Sequence, residues 1–237
     1  MKLGLFTDPH YCNKEVTMND RRASLSYDKV REAMTVFRAA GVEMVICLGD
    51  LVDACDTDEE NREMIGKLTA LIRSFGLPFY CLMGNHDYQN FTKTEFDELT
   101  GGAVPPFSVA YGKLTFIFLD ANYDDDEKVY EPGKVVWYRT RVPKEQMTAL
   151  AETLAGSKEQ HVYVFSHQVL DETSAPGHYP ANSSEVRAML ENAGNVKAAY
   201  AGHYHPGHES VIGGIPYHTL PAMCEGKENR YFVVDVE

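Results

Sequence analysis

Five short polar blocks hold the side chains of this chain that could do chemistry: Asp8-x-His10, Gly49-Asp50-x-x-Asp53, Gly84-Asn85-His86-Asp87, Ser166-His167 and Gly202-His203-x-His205. Together they offer carboxylates, one amide and imidazoles. Such oxygen and nitrogen donors suit a pair of hydrated divalent cations better than a thiolate-type structural zinc site. A pair of cations needs one shared ligand, and a carboxylate bridges best because it has two oxygens and a negative charge. Cations about 3.5–4 Å apart can then clamp the oxygens of a phosphoryl group. Activating a water and steadying charge on oxygen is the chemistry such a pair offers.

Most of the blocks follow directly on an apolar run: Leu3–Phe6, Val45–Leu48, Phe79–Met83, Val162–Phe165 and Ala198–Ala201. Each run reads as a buried strand, so the polar side chains fall just past strand ends. The i, i+2 spacing of Asp8 with His10 and of His203 with His205 would put both members on one side of an extended backbone. Gly49, Gly84 and Gly202 precede ligands where a strand must turn without a Cβ in the way. Between the runs, the first half alternates strand and helix. A helix begins near Asp28, with Val30, Ala33, Met34 and Phe37 on one face and Gly41 as its stop. A second spans about Glu60–Phe75. This βαβαβ series predicts a mostly parallel sheet whose active site lies at the carboxyl ends of the strands. The middle is richer in strands, with a hairpin turning at Gly112-Lys113. Residues 121–142 have no clear period and are long for a plain connection, so they read as a lid or insertion. A helix over Lys144–Leu154 leads to the strand His161–Ser166. Asn182 and Glu185 are spaced as a helix-capping pair, and Gly213-Gly214 marks a late hairpin.

Composition bounds the partners. The chain has 237 residues, 44% of them hydrophobic, enough for a full core and read as a single domain over 1–237. Its formal charge of −13 repels DNA and anionic membranes, so no nucleic-acid polymer or membrane partner is expected. Five scattered cysteines without a C-x-x-C pair argue for a reducing compartment. The first ligand stands at residue 8, leaving no room for a signal peptide, and no apolar run nears the ~18 residues of a membrane span. A cytoplasmic protein is the expectation; oligomeric state has no signature. Lys14, Arg21, Arg22, Arg139 and Arg141 are candidate substrate contacts and equally ordinary surface charges. Cys12 could border the metal pocket or simply pack. The Asp124–Glu127 run reads as a solvated loop, and His161, His178, His208 and His218 as structural histidines.

In type and order, the five blocks resemble those of the calcineurin-like metallophosphoesterases, from Asp8 to His205. The resemblance implies a four-layer α-β-β-α sandwich. It implies that Asp8, His10, Asp50 and His205 hold one metal and Asp50, Asn85, His167 and His203 the other, with Asp50 as the bridge. It also implies that a metal-bridging hydroxide attacks phosphorus, while His86 protonates the leaving group with its ring held by Asp87. Asp53 is left between a supporting role at the site and a cap. The stretch from Gly84 to Phe91 looks like that of manganese-dependent ADP-ribose/CDP-alcohol diphosphatases, and the chain's size also fits class III cyclic-nucleotide phosphodiesterases. Asp8-x-His10 departs from the diphosphatase pattern, which often has Gln for His. A small phosphodiester or pyrophosphate, nucleotide-linked in those relatives, is the leading substrate class. A broad phosphomonoesterase or protein phosphatase is the alternative, and a metal-free scaffold on the same fold a third reading. Mn²⁺ or Fe is favoured, with Zn²⁺ and Ni²⁺ also compatible.

Overall fold

The computed structural model describes residues 1–18, 20–174 and 176–237. Two sheets stack face to face. The first has four strands in the order β10-β1-β2-β3, with β1 Lys2–Phe6, β2 Met44–Cys47, β3 Phe79–Cys81 and β10 Phe232–Asp235. The second has six in the order β4-β5-β6-β7-β9-β8. These are β4 Ser108–Tyr111, β5 Leu114–Leu119, β6 His161–Ser166, β7 Val196–Ala201, β8 His208–Ile212 and β9 Ile215–Thr219. The strands that end in candidate ligands are parallel to their neighbours: β1–β2–β3 in one sheet and β5–β6–β7–β9 in the other. Antiparallel strands occur only at the sheet edges, where β10, β4 and β8 pair.

The period-2 alternation of strand side chains explains the layering. Leu3, Leu5, Ile46 and Leu48 of the first sheet meet Phe116, Phe118, Tyr163, Phe165 and Tyr200 of the second in a core between the sheets. The opposite face of the first sheet, Phe6, Val45 and Cys47, packs on helices α1 (Ser26–Ala39) and α2 (Asp58–Ser74) through Val30, Phe37, Ile65 and Leu68. The outer face of the second, Ile117, Val162, Val164 and Ala199, packs on α5 (Lys144–Gly156) and α6 (Ser183–Ala193). Helix, sheet, sheet, helix: this is the four-layer α-β-β-α architecture.

Local detail departs from expectation in places. Helix α2 starts two residues earlier than Glu60, because Thr57 and Glu60 form a reciprocal capping box. Two short helices, α3 (Asn85–Asn90) and α4 (Lys93–Leu99), follow β3 where the sequence has too few periodic residues to announce them. Asn182 does not cap α6 with its side chain; its amide instead pairs with both backbone groups of Val142, tying α6 to the end of segment 121–142. That segment contains only isolated bridges, such as Asn122 with Arg141. Among the described residues no helix is long and apolar enough to cross a membrane.

Candidate metal centre

All seven sequence-predicted ligands meet at the carboxyl ends of the parallel strands. His10 Nε2 lies 3.6 Å from Asp8 Oδ1, 3.4 Å from Asp50 Oδ2 and 3.2 Å from His205 Nε2. His205 Nε2 lies 3.4 Å from Asp8 Oδ1. On the other side of Asp50, His167 Nε2 is 3.4 Å from Asp50 Oδ2 and 3.2 Å from Asn85 Oδ1. Asp50, His167 and His203 also have their donor atoms clustered. Asp50 is the residue common to both halves, as a bridge must be.

These spacings fit cations. Ligand atoms about 2.0–2.2 Å from one cation, at roughly tetrahedral or octahedral angles, stand about 2.8–3.6 Å apart. Asp8 Oδ1 and His203 Nε2 are buried and hydrogen-bonded to nothing among the described residues. A buried carboxylate oxygen left without a donor is costly unless a cation completes it. Several imidazoles are also in the right tautomer. His167 Nδ1 donates to the Leu48 carbonyl at 2.9 Å, and His205 Nδ1 donates to Glu225 at 2.6 Å, which turns each Nε2 lone pair inward. Burial lowers His10 to about 4 and His203 well below the usual imidazole value, so both are neutral, the ligating form. At His167 burial pulls the same way, but the Asp50 carboxylate outweighs it and pushes the ring up to about 9, placing a proton where a cation would bind. Burial would raise Asp8, yet the imidazoles of His10 and His205 hold it well below the carboxylate range.

The backbone at the centre is strained. Among the described residues five non-glycines have left-handed φ, and four are candidate ligands: Asp8 (52°), His10 (46°), Asp50 (51°) and His203 (66°). Such residues are uncommon and cluster at functional sites. The extended geometry expected for the i, i+2 pairs is therefore corrected: left-handed kinks aim these side chains. Gly49 has φ +111°, as a sharp turn requires. Gly84 and Gly202 serve close approach, since a Cβ on Gly84 would overlap the Asp50 carboxylate and one on Gly202 would overlap Thr7 Oγ1.

The partner of His86 is a second correction. Its Nδ1 meets Asp53 Oδ1 at 3.0 Å, not Asp87. The Asp53 carboxylate also accepts from Thr17 Oγ1 at 2.9 Å and lies 3.8 Å from the Arg21 guanidinium. Burial would lower His86, but Asp50 and Asp53 together raise it, favouring the proton-bearing ring. Asp87 is fully buried as the third residue of α3 and accepts from the amides of Gly84 (2.9 Å), Leu51 (3.2 Å) and Val52 (3.2 Å). It thus clamps the Asp50 loop to the Asn85 loop, and burial next to Asp50 pushes its carboxyl up to about 7. His86 donor atoms also come within ligand reach of His10 and Asp50, so the ring stands at the edge of the centre.

A cavity of about 510 Å³ opens over the ligands, lined by Arg21, Asn85, His86, Gln89, Trp137 and His178 among others. Of the five candidate cations only Arg21 reaches it. Lys14 pairs with Asp56 and Arg22 with Asp20. Arg139 pairs with Asp125 on a separate outer groove, and Arg141 lines neither. Cys12 packs against the Lys14 backbone, whereas Cys224, which no motif marked, lies 3.9 Å from His205. His161, His208 and His218 are satisfied by Glu237, Asp171 and Glu209, but His178, read as structural, stands at the pocket wall. Trp137 and His178, and Glu225 and Arg230 on an adjoining groove with His205, lie on loops outside the five polar blocks, so no motif marks them.

The model of the calcineurin-like phosphoesterase family matches residues 1–207, which include every candidate ligand. The chain is 25% identical over 185 residues to the 3′,5′-cyclic adenosine monophosphate phosphodiesterase CpdA of Haemophilus influenzae, a match over 77% of this chain and 61% of that protein. It is also 25% identical to a manganese-dependent ADP-ribose/CDP-alcohol diphosphatase of Oryza sativa, over 82% of this chain and 73% of the relative. A dimetal phosphatase from Danio rerio has the same fold, with a TM-score of 0.83 at 19% identity, covering 98% of this chain and 91% of that one. The ligand loops, the sandwich that presents them and the match across them agree: this chain belongs to the calcineurin-like phosphoesterases, a family that works with divalent metal ions.

Proposed function

We propose that this protein hydrolyses a small phosphodiester or pyrophosphate, nucleotide-linked, at a centre of two divalent cations. The observation behind this reading is the convergence of seven donor atoms on two halves that share Asp50, with a carboxylate-held imidazole at their edge. Asp8, His10, Asp50 and His205 would hold one cation, and Asp50, Asn85, His167 and His203 the other. When bound, such cations supply a hydroxide at neutral pH and neutralise charge on phosphoryl oxygens. The donor set favours Mn²⁺ or Fe.

The chain's own groups do the rest. Asp53 fixes the His86 ring, keeps Nδ1 protonated and leaves Nε2 facing the cavity, from where it hands a proton to the departing oxygen. Arg21, 3.4 Å from His86 Nε2, is placed to hold a substrate oxygen beside that proton transfer. The net charge of −13 and a cavity of about 510 Å³ in which Arg21 is the one arginine favour small substrates over polymers.

The test is hydrolysis of bis-p-nitrophenyl phosphate against p-nitrophenyl phosphate, with and without Mn²⁺ and after chelation. A metal-dependent preference for the diester is expected. Chelator-insensitive turnover, or faster cleavage of the monoester, would reject this reading.

A further inference from the structure

We infer that Trp137 and Gln89 form a nucleobase subsite beside the metal centre. This rests on the phosphoesterase reading for its substrate but stands on separate residues. Trp137 is the chain's only tryptophan, and 42% of its surface is open. An exposed indole is ordinarily unfavourable, yet this one is held in place. Its ring centroid lies 5.2 Å from that of His178 and 5.8 Å from that of the ligand His203, in tilted and edge-on geometry. Tyr138 packs edge-on at 5.5 Å, and Gly177 has its missing Cβ position 4.0 Å from the indole. Two loops that share no regular element therefore converge to fix one aromatic ring over the cavity.

Segment 121–142 is also docked onto the helix that bears His86. Gly133 N donates to the Gln89 carbonyl at 3.0 Å, and Val135 and Trp137, which follow, line the same cavity as His86 and Gln89. Met18 and Val135 add apolar lining to the same cavity. The Gln89 side-chain amide adds both a donor and an acceptor. A part-exposed indole, apolar lining and one amide in the same cavity match a planar heterocycle with hydrogen-bonding edges, the chemistry of a nucleobase. The cavity, at about 510 Å³, is of the size that takes small ligands.

A single tryptophan makes the test direct. With saturating Mn²⁺ held constant, AMP and ribose 5-phosphate are titrated against the protein while Trp emission is followed. They share ribose and phosphate and differ by the base. AMP should quench the emission and bind about tenfold more tightly than ribose 5-phosphate. By calorimetry, Trp137→Ala should abolish that preference, Trp137→Phe should keep part of it, and bound metal should be unchanged in both. Equal binding of the two probes by the wild-type protein, or a preference that survives Trp137→Ala, overturns the subsite. Should Trp137→Ala lose metal by disturbing His203, the wild-type comparison still decides. Hydrolysis of bis-p-nitrophenyl phosphate with no AMP preference would remove the subsite and leave the phosphoesterase reading intact. Selective quenching by AMP without hydrolysis would do the reverse.

Discussion

Asp50 and Trp137 face one cavity, yet they are held by opposite means. Asp50 is 2% exposed, follows a central parallel strand and sits at a left-handed φ. Its carboxylate takes the His86 amide at 2.8 Å and touches two imidazoles. Trp137 lies in a segment without a strand or helix, packed only through ring edges and a turn. The floor of the site is thus a cross-braced polar network on rigid strand ends, and its rim is loop. Floors of this kind set which reaction occurs, while rims set which substrate is taken.

Substitutions in the floor should therefore have the largest effects, whatever the substrate. Asp50→Asn removes the shared charge from both halves of the centre. Metal content should fall at both positions and activity by at least about 10³-fold on every ester. Retention of two cations with near-normal turnover would mean that Asp50 bridges nothing. His86→Ala comes next, with kcat lowered about 10²–10⁴-fold while both metals stay. The loss should shrink for p-nitrophenolate esters, whose oxygen leaves without a proton, and be full for alkyl or ribosyl esters. Equal slowing of both classes, or loss of a metal, would make His86 a ligand or a phosphate-binding group instead.

The two neighbouring aspartates sharpen the contrast within the floor. Asp53→Asn loosens the His86 ring, so it should copy the leaving-group pattern of His86→Ala at about 10–10²-fold. Asp87→Asn touches no imidazole but puts an amide where three backbone N–H groups need an acceptor. Its signature should be a stability loss of about 1–3 kcal/mol, read as a lower Tm, with no dependence on leaving group. Swapped signatures would restore Asp87 as the support of the ring.

What the sequence revealed follows the same division. That the candidate ligands converge was legible because a buried strand has a recognisable pattern and its end is a fixed point in space. The layering was legible for the same reason: alternation along β1, β5 and β6 dictates which side chains face each core. The pairing of His86 with Asp53 was not, since the two are 33 residues apart and only the folded loops choose between Asp53 and the adjacent Asp87. The left-handed turns at Asp8 and His10 were hidden too, because nothing in their residue types distinguishes a kinked loop from an extended one. Trp137, His178, Glu225 and Arg230 come from loops whose positions depend on long-range packing.

The smallest expected effect is at Arg139, and it tests the boundary of the rim. From the sequence, Arg139 was as good a substrate contact as Arg21. It lies two residues past Trp137 in the same segment. In the structure its side chain turns away, pairs with Asp125 and lines a groove with Asp124 and Lys134, not the metal cavity. An exposed pair of this kind contributes little to stability. Arg139→Ala should therefore leave kcat, KM and metal content within about twofold of wild type. Arg21→Ala, by contrast, removes the cation beside His86 and should raise KM and lower kcat together by about 10-fold or more. If Arg139→Ala instead raised KM for nucleotide substrates, segment 121–142 would have to reorganise when substrate binds. Trp137 would then be part of a closing element and not of a wall already in place.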